Sequence, residues 1–158
     1  MRRMPSHPPP RGAAVLRVTA YVDGASRGNP GPAGYGVYMT TDTGEIIEIC
    51  GYLGVTTNNV AEYTGLLEAL TLARDEGATE VEIISDSLLL VNQMLGKFRV
   101  KHANLIPLHA RAMKLAQEFR RFSIRHTLRA GNKEADRLAN LAVDRADGRF
   151  MERRRADR

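Results

Sequence analysis

At 158 residues, with 43% hydrophobic and 26% charged side chains, the chain is sized for one globular domain with a proper core, and a second domain does not fit. No apolar run approaches the roughly 18 residues of a membrane span, and a single Cys50 with four scattered His excludes both a disulfide framework and a Cys/His zinc cage. The net charge of +5 is uneven: residues 1–15 carry three Arg and no acid, residues 144–158 carry six Arg against four acids, and the middle is balanced.

Residues 1–14, MRRMPSHPPPRGAA, read as a disordered, basic, Pro-rich lead-in. The stretch lacks the hydrophobic centre of a signal peptide and is too proline-rich for an amphipathic transit helix, so a cytoplasmic, reducing location is expected. A strand over 15–22 then delivers one acid, Asp23. The stretch Tyr21 to Gly36, YVDGASRGNPGPAGYG, holds five Gly and two Pro. Such punctuation predicts a loop that turns sharply and offers main chain as a binding surface, because Gly tolerates φ > 0 and Pro fixes φ. Strands over 34–41 and 45–53, joined by the turn TDTG, complete an antiparallel meander.

A helix is predicted over about 60–76, with Leu66, Leu67, Leu70 and Ala73 on one face and Gly77 as its stop. A short strand (81–85) ends at Asp86, followed by a helix over about 87–95. In GKFRVKHAN (96–104), Lys97, Arg99 and Lys101 alternate with Phe98 and Val100, which in extended form gives one basic and one apolar side. A helix over about 104–120 tolerates Pro107 in its first turn and turns Leu105, Leu108, Ala112, Leu115 and Phe119 inward. A fifth strand (122–128) and a last helix from about Asn132, with Ala135, Leu138, Ala139 and Ala142 toward the core, precede a basic C-terminal tail (144–158). The order βββαβααβα predicts an α/β fold: a mixed five-stranded sheet with helices on both faces, strands four and five parallel to strand one, and a domain over 15–143. Ligands on such sheets sit beyond the carboxyl ends of parallel strands, where Asp23 and Asp86 fall.

Each acid has a plain structural explanation. Asp23 before Gly24 suits a turn, Asn59 with Glu62 suits a capping box, Asp86 suits an N-cap and Asp136 suits the first turn of a helix. However, Glu62 heads a helical row completed by Leu66, Ala69 and Ala73, so it points toward the sheet. Four such acids at one end of one sheet would repel one another unless cations sat among them. An all-oxygen site suits Mg²⁺, with Mn²⁺ as a substitute, and two such ions about 4 Å apart serve phosphodiester hydrolysis.

The motifs YVDGASRGNPGPAGYG, TTNNVAEY, ISDS with VNQ soon after, and NKEADRLAN occur in an order that resembles the ribonuclease H family, type 1, over residues 15–143. That resemblance implies Asp23, Glu62, Asp86 and Asp136 as catalytic, metal-binding acids. It also implies hydrolysis of the RNA strand of RNA/DNA hybrids, leaving 5′-phosphate and 3′-hydroxyl ends. Gly24, Ala25, Ser26, Asn58 and Asn59 match positions that read the minor groove and its 2′-hydroxyls, and Thr57 matches one that grips a DNA-strand phosphate. Two departures stand out. Arg129 occupies roughly the place of a loop His that many bacterial relatives carry, and only GKFRVKHAN stands where a longer, Trp-bearing basic protrusion would be. Lys97, Arg99 and Lys101 are the candidate replacements for that protrusion. Double-stranded RNA stays open as a further substrate, the basic tails suit either phosphate attraction or simple solvation, and a monomer is expected because no heptad seam is present.

Overall fold

A computed structural model of the chain describes residues 16–156; the expected lead-in over 1–14 lies outside the described residues. The elements in chain order are β1 (Arg17–Ser26), β2 (Gly31–Thr41), β3 (Glu45–Thr56), α1 (Asn58–Asp75), β4 (Glu80–Ser85), α2 (Leu88–Met94), α3 (Ile106–Ala116), β5 (Arg121–His126), α4 (Lys133–Arg145) and β6 (Arg149–Arg155), with a short 3₁₀ turn at Arg129–Gly131. They build one mixed sheet in the order β5-β4-β1-β2-β3-β6. β1, β2 and β3 pair antiparallel, while β4 lies parallel to β1 and β5 parallel to β4, as the crossover argument requires.

Alternation along the strands assigns the two faces. Val18, Ala20 and Val22 of β1 and Val37 and Met39 of β2 join Leu66, Leu70 and Ala73 of α1 in the main core, to which α3 adds Ala112. On the other face Cys50 packs with Leu138 and Ala142 of α4, bordered by Tyr38 and Phe150. The helices therefore cover both faces.

Three expectations are corrected. The sheet has six strands rather than five, because Arg149–Arg155, within the stretch expected as a basic tail, pairs antiparallel with β3. Its arginines find acids on neighbouring elements: Arg149 meets Glu68, Arg153 meets Glu76 and Glu45, and Arg154 meets Glu48. The segment 96–104 forms no strand and runs irregularly between α2 and α3.

The third correction concerns the glycine-rich stretch, of which only residues 27–30 lie outside strands. Pairing continues through Asp23↔Gly36, Gly24↔Tyr35, Ala25↔Gly34 and Ser26↔Ala33. Most of these glycines serve the approach of helices, not a turn. A Cβ on Gly24 would stand 2.4 Å from the main-chain nitrogen of Glu62, and one on Gly36 would stand 2.4 Å from the carbonyl oxygen of Ala135. The glycines thus let α1 and α4 press against β1 and β2 beside Asp23, Glu62 and Asp136.

Candidate active site

At the carboxyl ends of β1 and β4, Asp23, Glu62 and Asp86 each place a carboxylate oxygen within 4.8 Å of the other two. Asp23 lies in the buried run 22–24 of β1. Its Oδ1 accepts from the main-chain N–H of Gly24 at 2.9 Å. Glu62 is held by α1, whose first turn is capped by Thr57: the Thr57 hydroxyl accepts from the N–H of Val60 at 3.2 Å. The Asn59–Glu62 capping box is therefore not formed, and Glu62 is released to face the sheet with Leu66, Ala69 and Ala73, all buried. Likewise Ser87, not Asp86, caps α2 through its hydroxyl, leaving Asp86 for the cluster.

Asp136, in the first turn of α4, stands outside that triad but lines the same cavity of about 440 Å³. Gly24, Ala25, Ser26, Asn58 and Arg129 line it too, so the structure brings most of the sequence-selected residues to one place. Arg27, Ser87 and Asn140 also line it, and sequence reasoning had not selected them. Thr57 is committed to its cap, Asn59 is exposed, and Lys97, Arg99 and Lys101 are exposed on the irregular segment beyond the cavity lining. His126 is exposed at the end of β5.

Two links hold the acid-bearing elements together. The side chain of Asn29 accepts from the main-chain N–H of Asn58 at 3.0 Å, tying the β1–β2 turn to the start of α1. Asn132, buried just before α4, donates through Nδ2 to the carbonyl oxygen of Val22 at 2.9 Å. Asn132 stands at the N-cap position of α4, yet its side chain makes no cap bond and reaches across to β1 instead.

The electrostatics are those of a site built for positive charge. Burial, then the neighbouring charges of Asp86 and Asp136, push the Asp23 carboxyl up to about 7. Burial, then Asp23 and Asp86, push Glu62 well above the usual carboxylate range. Glu62 Oε1 is buried with no hydrogen-bond partner among the described residues. An orphaned carboxylate oxygen facing two other carboxylates is costly without a cation and a ready ligand with one. The donor set is oxygen only, which fits Mg²⁺ or Mn²⁺.

Residues 21–142 match the family model described as reverse transcriptase-like. The chain is 48% identical over 133 residues to the bifunctional protein Rv2228c of Mycobacterium tuberculosis, which covers 83% of this chain and 36% of that protein. It thus spans about a third of that relative's length. A structure of the N-terminal RNase H domain of Rv2228c, fused to maltose binding protein, superposes with a TM-score of 0.79 at 47% identity, covering 83% of this chain and 96% of that one. Ribonuclease HI of Halobacterium salinarum is 44% identical over 131 residues, 82% of this chain and 66% of that protein. LC11-RNase H1, solved in complex with an RNA/DNA hybrid, superposes with a TM-score of 0.76 at 40% identity, covering 82% of this chain and 98% of that one.

Proposed function

The chain belongs to the reverse transcriptase-like, ribonuclease H-like family, and from that premise we propose that it hydrolyses the RNA strand of RNA/DNA hybrids. The observation that carries this reading is the convergence of Asp23, Glu62 and Asp86 around a buried carboxylate oxygen that has no partner among the described residues, with Asp136 on the same cavity. The hybrid bound by LC11-RNase H1 supports the choice of substrate.

In this proposal Asp23, Glu62, Asp86 and Asp136 hold two Mg²⁺ ions, with Mn²⁺ as a substitute. When bound, these cations supply an activated water and stabilise the leaving oxygen of an in-line displacement. The hydrolysis breaks the bond between phosphorus and the 3′-oxygen; water contributes hydroxyl to phosphorus and a proton to that oxygen, leaving 5′-phosphate and 3′-hydroxyl ends.

The chain's own groups select and orient the substrate. A 2′-hydroxyl both donates and accepts, and Ala25, Ser26 and Asn58 line the cavity where such a group would be read. The N–H of Gly24 is engaged by Asp23, so Gly24 serves by allowing close approach. Asn59 and Thr57 extend this surface toward the DNA strand, and Lys97, Arg99 and Lys101 supply positive charge farther out. Arg129 lines the cavity too, and a guanidinium only donates hydrogen bonds. It would offer donors to a phosphate there, where a His could also accept. The chain acts as a monomer in the cytoplasm in this reading.

The test is cleavage of an end-labelled RNA/DNA hybrid with Mg²⁺, run beside Asp86→Asn and beside the matching RNA duplex. Cutting of the hybrid's RNA strand that disappears in the variant is expected. Cutting of the duplex as well would widen the specificity, whereas a hybrid bound but left intact with either metal would end the catalytic reading.

A further inference from the structure

Asp136, Asn140 and Asp144 are spaced four residues apart on α4 and so lie one above another on a single face of the helix. The side-chain nitrogen of Asn140 donates to the main-chain carbonyl of Asp136 at 3.0 Å and to its carboxylate Oδ1 at 3.3 Å. Arg27, from the turn between β1 and β2, comes to the same face from the other side. One guanidinium nitrogen lies 2.7 Å from the Asp144 carboxylate, and it donates to the main-chain oxygen and Oδ1 of Asn140 at 3.4 and 3.5 Å.

A guanidinium only donates, so Arg27 accepts only the oxygen end of the Asn140 amide as its neighbour. The NH₂ end is thereby directed at Asp136. Were the amide reversed, its oxygen would face a carboxylate and its NH₂ a guanidinium, and both contacts would be repulsive. Asp144 keeps Arg27 in place by an ion pair that does not involve the amide.

We propose that Asn140 is a positioning residue for Asp136, with Arg27 setting the orientation of its amide. The anchored Oδ1 fixes the rotation of the Asp136 carboxylate and hence where Oδ2 points. This matters most for Asp136 because it stands apart from the Asp23–Glu62–Asp86 triad, so its geometry must be held by something other than that cluster. The arrangement also couples the glycine-rich turn to the catalytic helix through side chains that line the cavity. The proposal rests on the nuclease reading above.

The experiment compares the unaltered chain with Asn140→Ala and Arg27→Ala by Mn²⁺ calorimetry, by Mg²⁺ titration of hybrid cleavage and by thermal melting. Removing a group that orients a metal-binding side chain typically weakens metal affinity or activity about 10- to 100-fold. Asn140→Ala is expected to weaken Mn²⁺ binding about tenfold or more. It should also raise the Mg²⁺ concentration for half-maximal cleavage and lower kcat, with KM for the hybrid and the metal-free Tm unchanged. Arg27→Ala is expected to move the same readouts in the same direction by less. Unchanged Mn²⁺ affinity in Asn140→Ala overturns the proposal, as does a loss of activity that only parallels a loss of Tm. If Asn140→Ala fails to fold, Arg27→Ala decides by the same criteria. Calorimetry judges Asn140 even where the unaltered chain cuts no hybrid, so failure of the nuclease reading is distinguishable from failure of this one.

Discussion

The side-chain nitrogen of Asn132 lies 2.9 Å from the carbonyl oxygen of Val22, joining the residue that precedes Asp23 to the residue at the head of the helix bearing Asp136. The bond spans 110 positions of sequence and is buried. Asn132→Ala would leave a buried carbonyl without this donor, a change that costs about 1–3 kcal/mol. The expected outcome is a Tm lower by several degrees together with a fall in cleavage at temperatures where the variant is still folded. Calorimetric melting and hybrid cleavage on the same preparation check it.

The acid cluster makes stability depend on pH in a direction opposite to that of ordinary salt-bridged carboxylates. The Asp23 carboxyl titrates at about 7 in the fold against an ordinary 3.8, so between those values the folded state binds more protons than the unfolded state. Stability of the metal-free protein is therefore expected to fall as pH rises from 3.8 through about 7, and Glu62, shifted in the same direction, adds to the effect. Saturating Mg²⁺ or Mn²⁺ should flatten this slope. Denaturant unfolding across that pH range, with and without the cation, checks both parts.

Gly24 has no room for a side chain. A Cβ there would meet the Glu62 nitrogen at 2.4 Å and the Ala61 carbonyl carbon at 2.5 Å, and both are main-chain atoms of α1. Gly24→Ala must push α1 from β1, at a cost of about 1–3 kcal/mol, and displaces Glu62 from Asp23. Cleavage is expected to drop by more than tenfold while hybrid binding is kept, measured by single-turnover kinetics and by fluorescence anisotropy.

Strand β6 is rich in arginine, yet its charges are turned onto the fold. Arg153 pairs with Glu76 and Glu45, Arg149 with Glu68, and Arg154 joins Arg137 on the buried Glu48. Removal of residues 149–158 is expected to lower Tm by several degrees and to leave the salt dependence of hybrid binding unchanged. For every phosphate that the shortened chain no longer neutralised, the slope of log affinity against log salt would shrink by about 0.7–0.9. A reduced slope after truncation would assign these arginines to the nucleic acid after all.

Lys97, Arg99 and Lys101 make the contrasting case, being exposed on an irregular segment. Replacing all three by Ala is expected to weaken hybrid binding and to reduce that slope by up to about 2–3, with kcat at saturating hybrid little changed. Salt-titrated binding isotherms and steady-state kinetics separate the two effects.

Much of the site was legible in the sequence because each acid sits where one periodicity gives way to another: Asp23 and Asp86 where a strand ends, Glu62 at the head of an apolar helical row, Asp136 in the first turn of a helix. Alternation and helical spacing also predicted which faces are buried, and the order of elements predicted β4 and β5 parallel to β1. Such patterns say that a face is apolar without saying which segment will cover it. Hence Gly24 and Gly36 read as turn formers, when tertiary packing uses them to admit α1 and α4. Hence too the arginines of β6 read as a basic tail for phosphate or for solvent, since Glu45, Glu48, Glu68 and Glu76 are distant in sequence and become neighbours only when β6 docks on β3. The three-carboxylate cluster, the standing apart of Asp136 and the roles of Asn132, Asn140 and Arg27 belong to the same class. They are set by distances between elements, and those distances exist only once the helices have closed on the sheet.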